Sequence, residues 1–312
     1  MDDSPKSATP NVAAAAEDAR ANLIAYGMLT MAPFLWAISV IVGRWVYAEM
    51  PPIGLAFWRW SAGAVILLPF VWPDLRRHAG AVRANLRTYL ALGFFQMTAG
   101  ALLFLALNFT TAINASLVNG TQPAVTVLIA WLLLREKIAP LHMLGVVVAL
   151  VGVIVMVIRG DVSRLVAMEF NIGDLIVVAS ICFYALYAVN LRHLPKGPSS
   201  WSNLFLIAAF GGMAGLPFYI GESIWIRPMP VTWKAVGVVL ALSFVVSILS
   251  IYLWNHGNRQ IGPGRASVFV NLLPVYGAVL AILLLGEHLF TYHIAGAILV
   301  GIGIFLVIRR AR

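Results

Sequence analysis

Charge is scarce in this 312-residue chain: Asp, Glu, Lys and Arg together make up 11% of it. A soluble domain carries roughly a quarter charged residues, so a soluble enzyme or a soluble nucleic-acid binder is a poor fit. Cysteine is nearly absent. Cys182 stands alone, which excludes a disulfide framework and a cysteine metal site within one chain. Acids number 12 against 21 Lys and Arg, and no Asp or Glu falls in the middle third of any apolar run. That argues against carboxylate-based proton coupling and against a cationic-drug site built on a buried acid. No Lys lies at mid-depth either, which disfavours phosphorylated substrates. The six histidines (78, 142, 193, 256, 288 and 293) are scattered without an H-x3-H pair. No metal, cofactor or catalytic cluster is therefore expected, and a membrane-embedded enzyme is the weaker alternative.

Apolar sequence is abundant. Hydrophobic residues make up 61% of the chain and the mean hydropathy is +0.91. A helix needs about 20 apolar residues to cross a bilayer. The uncharged runs are 21–43, 53–73 (interrupted by Arg59), 88–134, 138–158, 175–191, 197–221, 235–258, 266–286 and 288–308. The long third run accommodates two helices joined near Thr110–Ile113. The expectation is an all-α integral membrane protein with ten spans. The runs are continuous rather than alternating, which excludes a membrane barrel. Residues 1–21 read as a mobile tail without the basic start of a cleaved signal peptide.

Basic residues orient the spans. With the N-terminus in the cytoplasm, 15 Lys and Arg fall in inner segments and 5 in outer ones, leaving Arg59 inside a helix. Both termini are therefore expected in the cytoplasm of a bacterial-type inner membrane. Most of the +9 net charge is topological and implies no nucleic-acid partner.

The chain repeats itself. Residues 115–152 align with 266–303 at a constant offset of 151, with 11 identities in 38 positions. They include Pro123/Pro274, Glu136/Glu287, His142/His293, Gly145/Gly296 and Gly152/Gly303. Trp36-Ala37 pairs with Tyr184-Ala185, and Arg44 with Arg192, at an offset of 148. Each half, 22–159 and 170–309, then holds five spans. Five is odd, so the second half would enter the membrane upside down. Inverted repeats of this kind are a transporter architecture.

The repeat carries a family pattern: a small-residue stretch, a mid-helix Pro, an apolar run, a Glu, and G-x6-G. In 108–136 it reads NFTTAINASLVNGTQPAVTVLIAWLLLRE, and in 262–303 GPGRASVFVNLLPVYGAVLAILLLGEHLFTYHIAGAILVGIG. Both resemble the EamA repeat of the drug/metabolite transporter superfamily. Trp36-Ala37 and LAFWRW around Arg59 fit its N-terminal part, and the second half lacks an Arg59 counterpart. Within the superfamily the chain looks most like the YddG-type aromatic amino-acid exporters. The resemblance implies two five-helix EamA repeats around a central cavity. It also implies an amino-acid exporter with aromatic preference, working by alternating access; another small neutral metabolite or drug is the alternative. Partners would be the small-molecule substrate and membrane lipid, with one chain sufficient to enclose a site.

Several residues are candidates for transport. Pro123 and Pro274, midway along the fourth and ninth spans, are candidate hinges, because proline removes a helix hydrogen bond. Polar residues at helical spacing are expected to turn away from lipid. The candidate substrate residues among them are Gln96, Asn119, Gln122, Tyr184, Tyr187, Trp254 and Asn271. Trp36 lies mid-span, where an interfacial tryptophan would not, and is a candidate stacking residue. Trp45, Trp58, Trp72, Trp201, Trp225 and Trp233 lie near span ends as interfacial anchors. Arg44 and Arg192 are candidate gate residues. His256 is a candidate proton-coupling group, since imidazole changes charge nearest neutral pH. Arg59, about 9 Å along its helix from Ile53, is read as reaching the outer surface. Glu136 and Glu287 are read as capping the helix that follows each.

Overall fold

The computed structural model describes residues 12–135, 140–161, 171–262, 266 and 269–308, the first eight and the last by backbone alone. The described residues are helical and contain no strand. In chain order the helices are α1 (Val12–Val46), α2 (Pro52–Arg77), short α3 (Ala79–Ala84), α4 (Leu86–Ala106), α5 (Ala112–Asn119), α6 (Gln122–Leu134) and α7 (Pro140–Val157). They continue as α8 (Ile172–Asn190), α9 (Ser200–Trp225), α10 (Trp233–Ala241), a π-helical segment (Leu242–Leu249), α11 (Ser250–Ile261), α12 (Leu272–Leu285) and α13 (Thr291–Ile308). Local chemistry sets many starts. Thr111, Asn171, Ser199 and Thr232 each accept a hydrogen bond from a backbone N–H in the first turn of α5, α8, α9 and α10.

Among the described residues, seven helical spans are long and apolar enough to cross a membrane, and α5 with α6, bent by 45°, makes an eighth if the pair is one span. The difference from the ten expected spans lies in α12 and α13, whose described apolar stretches Leu272–Leu285 and Thr291–Val307 are shorter. Large apolar side chains cover the outside, among them Phe70, Ile224, Leu283 and Phe305. That is the surface of a protein whose solvent is lipid. Of the expected interfacial tryptophans, Trp45, Trp58, Trp72, Trp225 and Trp233 are exposed.

The two halves of the chain interdigitate. α7 packs on α13, α4 on α8 and α9, α2 on α9, α1 on α11 and α12, α5 on α12, and α6 on α8. Each of these pairs joins a helix before residue 161 to one after 171. Glycines permit the closest approach. A Cβ on Gly145 would meet the Gly303 carbonyl at 2.6 Å, and one on Gly152 the Gly296 carbonyl at 2.8 Å. The G-x6-G of α7 therefore lies reciprocally on that of α13. Small residues at such crossings let backbones touch and gain dispersion energy where lipid offers no hydrophobic drive.

Carboxylates join the halves at the end where α1 finishes. Glu222 of α9 accepts from the Ile53 and Gly54 N–H groups at 3.0 and 2.6 Å, capping α2. Glu287 accepts from Ala112 and Ile113 N–H at 2.8 and 2.9 Å, capping α5, and pairs with Arg44 at 3.7 Å. Glu287 thus caps a helix in the other half rather than the one that follows it; Glu136 lies outside the described residues. Asp174 of α8, fully buried, receives the Thr110 hydroxyl and the Asn114 amide. At the opposite end Asp74 of α2 receives Ser199 N–H and the Ser202 hydroxyl of α9.

Candidate functional site

The apolar run 235–258, the eighth expected span, does not form one regular helix. Between α10 and α11 the chain widens into a π-helical segment, Leu242–Leu249. Such widened turns concentrate at functional sites because they re-aim side chains. Here they aim serines at α1 and α2. The Ser243 hydroxyl has the carbonyls of Arg59 (2.8 Å) and Val239 (2.7 Å) within hydrogen-bond distance and shares its one proton between them. Ser247 Oγ accepts from Arg59 Nε at 3.0 Å, and Ser39 Oγ of α1 accepts from Arg59 Nη1 at 3.2 Å.

Arg59 is therefore enclosed by protein, at 7% exposure, rather than reaching the outer surface. The enclosure comes from four helical elements, α1, α2, α4 and the π segment. α2 carries it, α1 and the π segment supply hydroxyls, and the rings of Trp60 and Phe104 lie 4.9 and 5.9 Å from the guanidinium. Tyr184 of α8 is within electrostatic range. No carboxylate forms an ion pair with Arg59 among the described residues. Asp174, Glu222 and Glu287 are each engaged elsewhere.

One turn away along the same helices, Trp36 Nε1 donates to Ser250 Oγ at 2.8 Å. The Trp36 ring faces that of Trp254, with centroids 5.4 Å apart and planes inclined by 49°. Two of the sequence candidates thus meet, one from each half. Tyr184 and Tyr187 stand one turn apart on α8, each half-buried and within electrostatic range of the other. Gln96 Oε1 on α4 and Asn119 Oδ1 at the end of α5 are buried without a partner among the described residues. A buried polar atom left so costs free energy unless something supplies the bond.

Other candidates fall elsewhere. Gln122 opens α6, where its carbonyl accepts the Thr126 hydroxyl at 2.7 Å. Asn271 stands before α12 and lines a groove of about 850 Å³ with Leu117, Pro274 and His293. The groove's outer lining, Val275, Ile298 and Phe305, is exposed and apolar, so it faces the bilayer. Arg44 donates to the Leu107 carbonyl at 2.5 Å and lies over Tyr47, whereas Arg192 is exposed in a short 3-10 turn. His256 is exposed near the end of α11, against Tyr252.

The prolines do not kink continuous helices. Gly120 and Thr121 N–H groups bond three residues back, to Leu117 and Val118, which closes α5. Pro123 then sits in the first turn of α6, where its missing N–H is harmless. Pro274 occupies the first turn of α12 in the same way. The two breaks meet: a Cβ on Gly120 would lie 2.6 Å from Pro274 Cγ.

Sequence reading missed the enclosure of Arg59 and the cross-half carboxylate caps. A signal existed for the first: an arginine seven residues inside an apolar helix demands an explanation. None existed for the second, because the capped N–H groups lie over 160 residues away.

Comparison with known proteins agrees with this architecture. A solved crystal structure covering 93% of this chain and 97% of its own superposes with a TM-score of 0.56 at 19% identity, a likeness of fold. An uncharacterized transporter of Bacillus subtilis, YyaM, is 25% identical over 287 residues, 90% of each chain. A probable amino-acid metabolite efflux pump of Salmonella typhimurium is 25% identical over 281 residues, covering 87% of this chain and 90% of its own. A protein of the same description from Escherichia coli is 23% identical over 280 residues. The EamA-like transporter family profile matches residues 23–158 and again 171–309, and the chain is a multi-span member of that family of small-metabolite transporters.

Proposed function

We propose that this protein exports neutral amino acids, aromatic ones preferred, by alternating access and without ion coupling. The observation that carries the reading is the Trp36–Trp254 pair, which brings two indole rings together, one from each half, within the helix bundle. A ring-bearing substrate is held by such rings with little loss of side-chain freedom. In this reading Tyr184, Tyr187, Gln96 and Asn119 are the polar residues assigned to the substrate. The efflux pumps of Salmonella and E. coli, described as acting on amino-acid metabolites, support the substrate class.

In this proposal the chain forms ten spans as two inverted five-helix repeats, with both termini in the cytoplasm. The reciprocal glycine contacts of α7 and α13 support it, since a two-fold axis between the halves exchanges Gly145 with Gly296 and Gly152 with Gly303. The facing breaks at Pro123 and Pro274 act as the hinge. Arg44, bonded to Glu287, acts as an outer gate contact, with Arg192 its counterpart on the inner side. His256, exposed against Tyr252, is the residue to examine first if coupling is found.

The test is reconstitution into liposomes and uptake of labelled phenylalanine, tryptophan and threonine, with and without a pH gradient. Saturable counterflow that favours the aromatic pair and ignores the gradient is expected. Absence of flux for all three would refute the amino-acid reading, and acceleration by the gradient would refute the uncoupled mechanism.

A further inference from the structure

Arg59 presents a chemical imbalance that the fold leaves standing. Its guanidinium carries five N–H donors and a permanent charge. Two donors are met by neutral hydroxyls, those of Ser247 and Ser39, and no carbonyl or carboxylate among the described residues accepts from the other three. The face is flanked by Trp60 and Phe104, whose rings lie against the cation but cannot neutralise it. Every buried carboxylate among the described residues has other donors: Asp174 has Thr110 and Asn114, and Glu222 has the start of α2. A buried charge without a counter-charge is costly, and removing water strengthens any ion pair it then forms.

The aromatic pair is adjacent. Ser39 follows Trp36 by three residues on α1, about 4.5 Å along the helix axis. Ser247 precedes Ser250, the acceptor for Trp36 Nε1, by the same interval. The guanidinium and the indoles are therefore held at neighbouring levels by the same two helices. We propose that Arg59 is the anchor for a substrate carboxylate, forming a buried site for a small monocarboxylate whose apolar remainder lies against Trp36 and Trp254. This deepens the amino-acid reading above and rests on it for the ammonium group. It assigns the carboxyl end to one residue and makes that end the condition for tight binding. The planar fork suits two parallel hydrogen bonds to a carboxylate, which a lysine cannot reproduce. Ser247, which accepts from Nε, and Ser39, which accepts from Nη1, are positioning residues that hold the guanidinium in place.

Equilibrium binding to the purified full-length protein tests this, with labelled phenylalanine and labelled 3-phenylpropionate measured in parallel. Both are expected to bind. Phenylalaninamide and phenethylamine keep the ring and lose the carboxylate, and should compete about tenfold more weakly or worse. Equal competition by the acids and their carboxylate-free analogues in the wild-type protein would overturn the anchor without any variant. Arg59→Gln should weaken phenylalanine about tenfold or more and leave phenylalaninamide unchanged; equal loss of both would assign Arg59 a structural role instead. Arg59→Lys, which keeps the charge, serves if the glutamine variant cannot be purified. There phenylalanine should weaken several-fold and the amide not at all, and an unchanged acid preference would overturn the proposal. If 3-phenylpropionate binds in an Arg59-dependent way and phenylalanine does not, the amino-acid reading falls and the anchor stands. If neither acid binds, both fall.

Discussion

The indole of Trp36 does two separable things: its N–H holds Ser250 and its ring faces Trp254. Trp36→Ala removes both, and on the proposed function it should weaken binding of phenylalanine and tryptophan by about 1–3 kcal/mol while affecting threonine much less. Trp36→Phe keeps a ring and should recover most of that loss. Uptake kinetics for the three amino acids in both variants checks this, and an equal loss for all three would mean that Trp36 is a packing residue. The position of Trp36 away from the span ends was legible in the sequence. Its partner was not, because Trp36 and Ser250 lie 214 residues apart and nothing local to either names the other. Arg59 illustrates the same limit in reverse. Its place inside an apolar helix was plain, but whether it snorkels or is enclosed depended on where Ser39, Ser247 and Phe104 came to rest.

At the scale of elements, the sequence marks breaks more reliably than it describes them. Pro123 and Pro274 fall midway along apolar runs, where a hinge within one continuous helix is the expectation. The chain instead ends α5 at Asn119, turns through Gly120 and Thr121, and restarts as α6 at a 45° angle. Proline at a first helical turn is unstrained, so the bend is located in the glycine-containing joint. A joint made of two short helices bends with few bonds broken. Pro123→Ala and Pro274→Ala should leave membrane insertion intact and slow turnover several-fold, with the double variant slower than either. Counterflow rates normalised to the amount of protein in the membrane measure this, and unchanged turnover in the double variant would sink the hinge. The π segment was invisible to periodicity: Ser243, Ser247 and Ser250 sit at spacings that suit an ordinary helix, and the widened segment lies against α2, far away in the chain.

Across the whole molecule, the carboxylates hold one half to the other. Glu222 closes the start of α2 with two hydrogen bonds and is 4% exposed. Glu222→Ala leaves two N–H groups without an acceptor in a nearly dry setting and should destabilise the protein by about 1–3 kcal/mol. Thermal unfolding in detergent should show a lowered midpoint, and Glu222→Gln, which retains one acceptor, should fall between. An unchanged midpoint for Glu222→Ala would show that solvent or lipid headgroups replace the bond. Composition and run length by themselves determined that this is a helical membrane protein, because burying so much apolar surface leaves lipid as the only workable solvent. The 151-residue offset likewise aligned the two halves with each other, since Pro, Glu, His and Gly at matched positions are not explained by an apolar composition. Only the tertiary structure decided that the two copies interleave, that Glu287 caps α5, and that Arg59, Trp36 and Trp254 share one region. The reason is physical: hydropathy and helical period are properties of neighbours in the chain, whereas a buried charge and its partners are chosen by helices that meet only after folding.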